Sequence, residues 1–421
     1  MKGKTPGRSD NCSLYLHVPF CQSKCPYCDF FSVTDRSLIP AYVDGVCKEI
    51  RLWSDVKSGR VQAPVHTLYL GGGTPSLLSV SQVAMILETV HQAFAVESDA
   101  EITMEVNPGT VDAGYLSAIR RRGVNRLSIG AQSFNPAKLS FLCRIHSREQ
   151  VFKTLAGADR AGFFNLGLDL MYALPDETLN TWETDLETAA DLHLPHLSCY
   201  MLTLEPGTPF YDQCEKGCLN LWDQDRRSDF FVHTSQVLEN AGYLHYEVSN
   251  FARARKFRSV HNTHYWERGT YLGIGPAAHS FLSGVPADPD RPEPGGQAGP
   301  GTLPGIAGQT GPVRAWNTVD IRAWLDHLAV GRLPWSGHEL LTPNQETMEQ
   351  IMLGLRTDNG VDVNGCDHQT RAQMGRLAEQ GLGAFFHHTG AGFSTRRFRL
   401  TRSGLIRLDS IVEALIRGLM K

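Results

Sequence analysis

Three cysteines, Cys21, Cys25 and Cys28, fall inside eight residues with the spacing C-x3-C-x2-C. They follow the apolar run Leu14-Tyr15-Leu16-His17-Val18-Pro19-Phe20, so the pattern reads as a strand delivering a short thiolate-rich loop. A loop this short can aim three sulfurs at one point, which suits a metal ion or a metal–sulfur cluster. Three protein ligands leave one position of a four-iron cluster open, as catalytic zinc sites keep one position open. With His17 as a fourth ligand the same spacing also describes a zinc site, and spacing alone leaves both readings standing.

Other residues able to do chemistry recur just after later apolar runs. Gly71-Gly72-Gly73-Thr74-Pro75 is a turn whose backbone can approach a ligand closely and offer N–H groups, although such a turn is often only a turn. Glu105 stands in Glu105-Val106-Asn107-Pro108, where a carboxylate could meet a ribose or an amine. Gln132 lies in Gly130-Ala131-Gln132-Ser133, followed by Arg144. Asp169 interrupts the apolar Leu168-Asp169-Leu170, where an unpaired charge is costly to bury.

The elements that position these residues alternate in type. Strands are expected at 13–18, 66–70, 101–106, 126–130, 165–171 and 197–202. Amphipathic helices are expected at 40–55, 81–94, 112–122, 149–161 and 180–192. This alternation implies parallel strands with crossover helices, an α/β layer or partial barrel of about six units, short of the eight of a closed barrel. In such folds the site lies at the carboxyl ends of the strands, which is where the cysteines, the glycine turn and the polar residues fall.

The 421 residues suffice for one large domain and a smaller one. Forty basic and 44 acidic residues give a net charge of −4, against a nucleic-acid protein built on phosphate contacts. The N-terminus lacks the apolar run of a signal peptide, and no stretch is apolar for the roughly 20 residues of a bilayer span. A reducing cytoplasm is therefore expected, with the other seven cysteines as isolated thiols. At most a peripheral membrane association remains. The expected domains are a tail (1–12), a core (13–282), a Gly/Pro-rich loop (283–312), a helical connector (313–341) and a small winged-helix-like domain (342–421). That last domain shows no basic recognition helix, and packing against the core or a partner is its expected use.

The cysteine triplet, the Gly-Gly-Gly-Thr-Pro turn and the Gly-Ala-Gln-Ser segment, in this order, resemble the radical S-adenosylmethionine enzymes, specifically their oxygen-independent coproporphyrinogen oxidase branch. The resemblance implies a (β/α)6 TIM-like partial barrel and a [4Fe–4S] cluster on Cys21, Cys25 and Cys28, with S-adenosylmethionine on the open iron. It further implies that Tyr27 touches the adenine and that Gly72, Gly73 and Thr74 hold the methionine end through backbone N–H groups. By position, Tyr15, Glu105, Gln132, Arg144, Asp169 and Thr203 match residues lining the S-adenosylmethionine sites of the oxidase.

Two departures separate this sequence from the oxidase. The oxidase motif continues to a fourth cysteine, whereas Cys28 is followed here by Asp29-Phe30-Phe31. About a dozen residues precede the first strand, where the oxidase has a longer segment. Both point to a sister group, heme chaperones of the same superfamily, as does His261-Asn262-Thr263-His264-Tyr265-Trp266, which matches that group's H-N-x-x-Y-W motif. The resemblance assigns heme contacts to His261, Tyr265 and Trp266. An imidazole can ligate heme iron and aromatic rings can stack on a porphyrin, with His264 and His279 as competing ligands and a hydrogen-bonded turn as the plain alternative. The expected function is to bind heme and hand it to acceptor apoproteins, respiratory haemoproteins foremost; a homodimer is expected from the family alone. The competing expectation is radical decarboxylation of coproporphyrinogen III.

Overall fold

The apolar runs form six strands: β1 (Cys12–Val18), β2 (Val65–Gly72), β3 (Val96–Val106), β4 (Arg126–Gln132), β5 (Asn165–Tyr172) and β6 (His196–Met201). Each pairs with the next in parallel. In the computed structural model the described residues are 11–56, 61–285, 311–390 and 393–419. The 1–12 tail and the Gly/Pro-rich 283–312 stretch lie largely outside them.

Strands covered on both faces are apolar nearly throughout, and six of the seven residues of β1 are buried. The crossover helices Val80–Ala93, Arg148–Arg160 and Leu179–Asp191 each start at a capping box, Ser79 with Gln82, Ser147 with Gln150 and Thr178 with Thr181. These pairs satisfy the free N–H groups of the first turn and fix where each helix begins.

The sheet is wider than six strands. β7 (Leu244–Glu247) and β8 (Asn250–Ala252) form an antiparallel hairpin against β6. On the far side β9 (Thr270–Ile274) runs parallel to β1. β10 (His279–Val285), β11 (Gly311–Asn317) and β12 (Trp335–Leu340) then extend it antiparallel. The order is β12-β11-β10-β9-β1-β2-β3-β4-β5-β6-β8-β7. The expected connector 313–341 thus opens on a strand, β11, which alternates Val313, Ala315 and Asn317 inward; its helix runs Ile321–Ala329, where Asp320 caps the N–H groups of Arg322 and Ala323.

A small antiparallel sheet of β13 (Val361–Asp362), β14 (Gly383–Gly390) and β15 (Phe393–Leu400) packs with helices Pro343–Gly354, His368–Glu379 and Leu408–Ile416. Its core, including Leu355, Met374, Phe398 and Leu415, is separate from that of the large sheet. The two meet through ion pairs: Arg258 grips Asp358 in a two-pronged contact at 3.0 and 2.5 Å, and Arg268 reaches Glu349 at 3.1 Å.

Glu49, fully buried, joins three elements: its carboxylate accepts from the Asn317 amide (2.6 Å), the Gly275 N–H (2.9 Å) and the Trp324 indole (2.9 Å). Burial pushes its carboxyl up to about 8, against the pull of those donors. Because the folded state holds this proton more tightly than the unfolded chain, stability at this site falls as pH climbs from the ordinary carboxylate range toward 8. The near-isosteric, non-titrating Glu49→Gln is expected to flatten that fall, read from urea midpoints at pH 5 and pH 8.

Candidate functional site

The cysteine loop leaves β1 and is strapped back by Cys21 N–H to the Val33 carbonyl (2.9 Å) and Val33 N–H to the Pro19 carbonyl (2.7 Å). Cys21, Cys25 and Cys28 are half-buried free thiols that ring one cavity with Gly72, Gly73, Thr74, Asn107 and Arg144. Two donors point at the sulfurs: the Thr74 hydroxyl at Cys21 (3.8 Å) and the Arg144 guanidinium at Cys25 (3.5 Å). Both sulfurs thus act as hydrogen-bond acceptors, while burial raises the Cys28 thiol. Among the described residues no three His, Cys, Asp or Glu side chains are gathered tightly enough for a single metal ion. His17, the fourth ligand of the zinc alternative, has both ring nitrogens engaged, with the Tyr15 hydroxyl (3.1 Å) and the Phe31 carbonyl (2.8 Å). The donor set therefore fits a cluster held by three thiolates better than a zinc ion completed by His17.

The glycine turn after β2 departs from expectation. Its N–H groups are already spent: Gly72 donates to Glu105 (3.1 Å), Gly73 to the Val18 carbonyl (2.9 Å) and Thr74 to the Phe20 carbonyl (2.7 Å). They tie the turn to β1 and the cysteine loop rather than facing a ligand. Glycine is required by crowding: a Cβ at Gly72, which has φ +107°, would lie 2.6 Å from the His17 ring, and one at Gly73 would lie 2.7 Å from the Phe20 carbonyl oxygen.

Beside the cysteines a larger cavity of about 580 Å³ opens along the strand ends. Tyr27, Gly72, Gly73, Thr74, Glu105, Gln132, Arg144, Asp169 and Thr203 all line it. Glu105 also accepts from the Tyr69 hydroxyl (2.8 Å), and burial pushes its carboxyl up to about 7. Asp169 accepts from the Ser128 hydroxyl at 3.1 Å; burial raises its carboxyl, and bonds from Ser198 and Ser128 oppose the rise. Gln132 occupies a left-handed backbone position (φ 66°) at an irregularity in the β4–β5 ladder, and Arg144 donates to the Gly130 carbonyl (3.0 Å). Tyr15 stands behind this wall, among His17, Tyr69 and His261.

The H-N-x-x-Y-W segment forms the short helix Val260–Trp266. His261 is only 1% exposed. One ring nitrogen meets the Thr67 hydroxyl (2.7 Å) and the other the Tyr265 hydroxyl (2.8 Å), so neither is free for iron in this arrangement. His264 bonds the Thr270 carbonyl (2.8 Å), and Trp266 lies under the Arg356 guanidinium. The exposed His279 stacks on Trp316. The residue of the motif that reaches the cavity is Asn262, and sequence reasoning missed it together with Arg126, Ser128, His196, Ser198 and Tyr200. All but Asn262 could have been found by alternation. Arg126 and Ser128 share a strand face, as do His196, Ser198 and Tyr200.

No helix among the described residues is long and apolar enough to cross a membrane. The Radical SAM superfamily pattern matches residues 15–189. The heme chaperone HemW of Lactococcus lactis is 37% identical over 95% of this chain and 96% of its own length. HemW of Escherichia coli is 42% identical over 64% of this chain and 70% of that protein. In fold, the chain is similar to coproporphyrinogen III oxidase HemN of Escherichia coli, with a TM-score of 0.74 over 98% of this chain and 91% of that one at 21% identity. With three cysteines on the loop after β1, a partial barrel behind them and a relationship spanning almost the whole of both chains, this protein belongs to the HemW heme chaperone family of the radical SAM superfamily.

Proposed function

We propose that the protein binds heme and delivers it to acceptor apoproteins, holding a [4Fe–4S] cluster on Cys21, Cys25 and Cys28 with S-adenosylmethionine beside it. The observation that carries this reading is the likeness to the Lactococcus lactis heme chaperone over nearly the full length of both chains. The loop supports it: where the oxidase motif continues to another cysteine, this chain has Asp29 and Phe30, and the Phe30 ring is 63% exposed at the cavity wall. An apolar ring there adds contact surface for a flat, greasy ligand and no further cluster ligand.

When bound, the cluster supplies one-electron chemistry and one iron position open to a small ligand. The chain's own residues do the rest. Thr74 and Arg144 hold the Cys21 and Cys25 sulfurs as acceptors of hydrogen bonds. Tyr27, adjoining both cavities, offers a face for an adenine. Glu105 and Asp169 present carboxylates to hydroxyl or ammonium groups, and Gln132, Arg144 and Thr203 complete the wall, with Tyr15 as backing. Gly72 and Gly73 contribute close backbone approach. Heme contact falls to the Val260–Trp266 helix with Tyr265 and Trp266; ligation by His261 requires it to exchange its bond to Thr67 or Tyr265 for iron.

The test is a pair of assays on anaerobically reconstituted protein. Hemin titration is expected to produce a Soret band, and mixing with an apo-cytochrome is expected to move the heme to it. Protoporphyrinogen formed from coproporphyrinogen III with reductant and S-adenosylmethionine would instead establish the oxidase and sink the chaperone reading.

A further inference from the structure

The inner end of the 580 Å³ cavity has a chemistry of its own. Arg126 and His196 open β4 and β6, whereas Gln132 closes β4. At about 3.3 Å per residue, Arg126 lies roughly 20 Å below Gln132, at the opposite end of the strand from the cysteine loop. Arg126 and His196 line the cavity although they are only 2% and 1% exposed. Asn262, from the helix Val260–Trp266, lines it too. That helix packs near this end: His261 N–H donates to Glu101 (3.1 Å), and Ser259 N–H donates to the Tyr246 hydroxyl that also bonds His196 (2.7 Å).

What sets this end apart is unspent hydrogen-bonding capacity. Arg126 carries five N–H donors, yet its one close partner among the described residues is Glu101, at 3.7 Å, and its Nε has no hydrogen-bond partner. His196 uses one ring nitrogen on Tyr246, and the other, Nδ1, is buried with no hydrogen-bond partner among the described residues. A Cβ added at Gly167 on the strand between them would lie 3.4 Å from Arg126 Nη2 and 3.4 Å from His196 Nδ1, so both atoms border one small gap. Asp169 acts on Arg126 through its charge but takes its hydrogen bonds from Ser128, and Glu105 takes its own from Tyr69 and Gly72. The neighbouring acidic groups balance the charge of the guanidinium, but among the described residues its Nε lacks an acceptor at hydrogen-bond distance, and a carboxylate is the acceptor that matches its fork.

We propose that Arg126, His196 and Asn262 form a carboxylate site at the inner end of the cavity, which takes a propionate of the tetrapyrrole. This rests on the heme reading above. A propionate held at this depth would anchor one edge of the macrocycle beside Asn262 and the Val260–Trp266 helix.

Hemin and hemin dimethyl ester, which lacks the two anionic carboxylates, serve as paired probes read by Soret titration. The wild-type protein is expected to bind the diacid at least about tenfold more tightly than the ester, as one charge-assisted contact allows. Arg126→Gln alone strands Glu101, so the informative variant is Arg126→Gln with Glu101→Gln, which replaces the ion pair by a neutral pair. It is expected to bring the ratio of diacid to ester affinity near one, with Arg126→Lys intermediate. Equal wild-type affinities, or a double variant that keeps the preference, would overturn the site. So would a double variant that loses affinity for S-adenosylmethionine instead, since the carboxylate recognised would then belong to that molecule. A wild-type protein that binds neither porphyrin fails at the earlier step, taking the heme reading down together with this one.

Discussion

Replacing any one of Cys21, Cys25 or Cys28 with alanine is expected to abolish the broad visible absorption of the anaerobically reconstituted protein and to reduce its iron to a sub-stoichiometric residue. The effect is all-or-none because the loop carries no spare ligand. Cys143, the other cysteine bordering this cavity, sits in a left-handed turn (φ 52°) after the Pro136–Phe141 helix, with its thiol toward the Phe141 carbonyl. His17 is held through both ring nitrogens. The fold should survive, since half-exposed thiols contribute little packing and the loop is strapped by backbone bonds through Cys21 and Val33. Unchanged far-ultraviolet circular dichroism with lost absorption is the expected pair of results. A variant retaining four irons and full absorption would refute the ligand assignment.

The second large effect is expected away from the cavity. Lys138, 8% exposed, pairs with the carboxylates of Glu177 and Asp185, the latter at 2.9 Å. Asp185 also accepts from Ser133 (2.6 Å) and Phe134 N–H (2.9 Å), the residues immediately after Gln132. Lys138→Met keeps the stem and deletes the cation, leaving two buried carboxylates unneutralised. Breaking a buried network in this way costs about 3–5 kcal/mol. The sign with pH follows from Glu177, whose carboxyl burial already raises while Lys138 pulls it down. Without Lys138 the folded-state value rises further, so the variant's deficit should shrink as pH falls and widen as pH climbs through neutrality. Urea titrations at pH 5.5 and 8 measure it; equal deficits would show that the carboxylates were not the cause.

The legible parts of this molecule were those fixed by short-range pattern. Six strand–helix units, the cysteine loop and the polar residues at strand ends follow from periodicity, from capping and from the rule that parallel sheets carry their sites at one end. The β7–β8 hairpin and β9 to β12 were not legible, because their strands are short and paired with distant segments; β9 finds β1 across most of the chain. The same holds for function. The Gly71–Gly73 turn announces close approach, but which partners consume its N–H groups depends on carbonyls of Val18 and Phe20 far upstream. His261 carries the right side chain for a heme ligand, yet Thr67, 194 residues away, occupies one of its nitrogens. Arg126 opens an expected strand, and only its burial in the folded chain puts its guanidinium against the cavity.

The pairing of β1 with β9 also constrains the order of events at birth. The strand that delivers the cysteines is hydrogen-bonded on one side by β2 and on the other by residues as late as Thr270 and Ile274. With about 5–20 residues added per second, that second side stays bare for roughly 10–50 s after Cys12 is made. A bare strand edge is a template for wrong pairing, and this one leads directly into the cysteine loop. The strand that presents the three thiols is therefore open to mispairing on one edge until residues 270–274 arrive, long after its pairing with β2 could form.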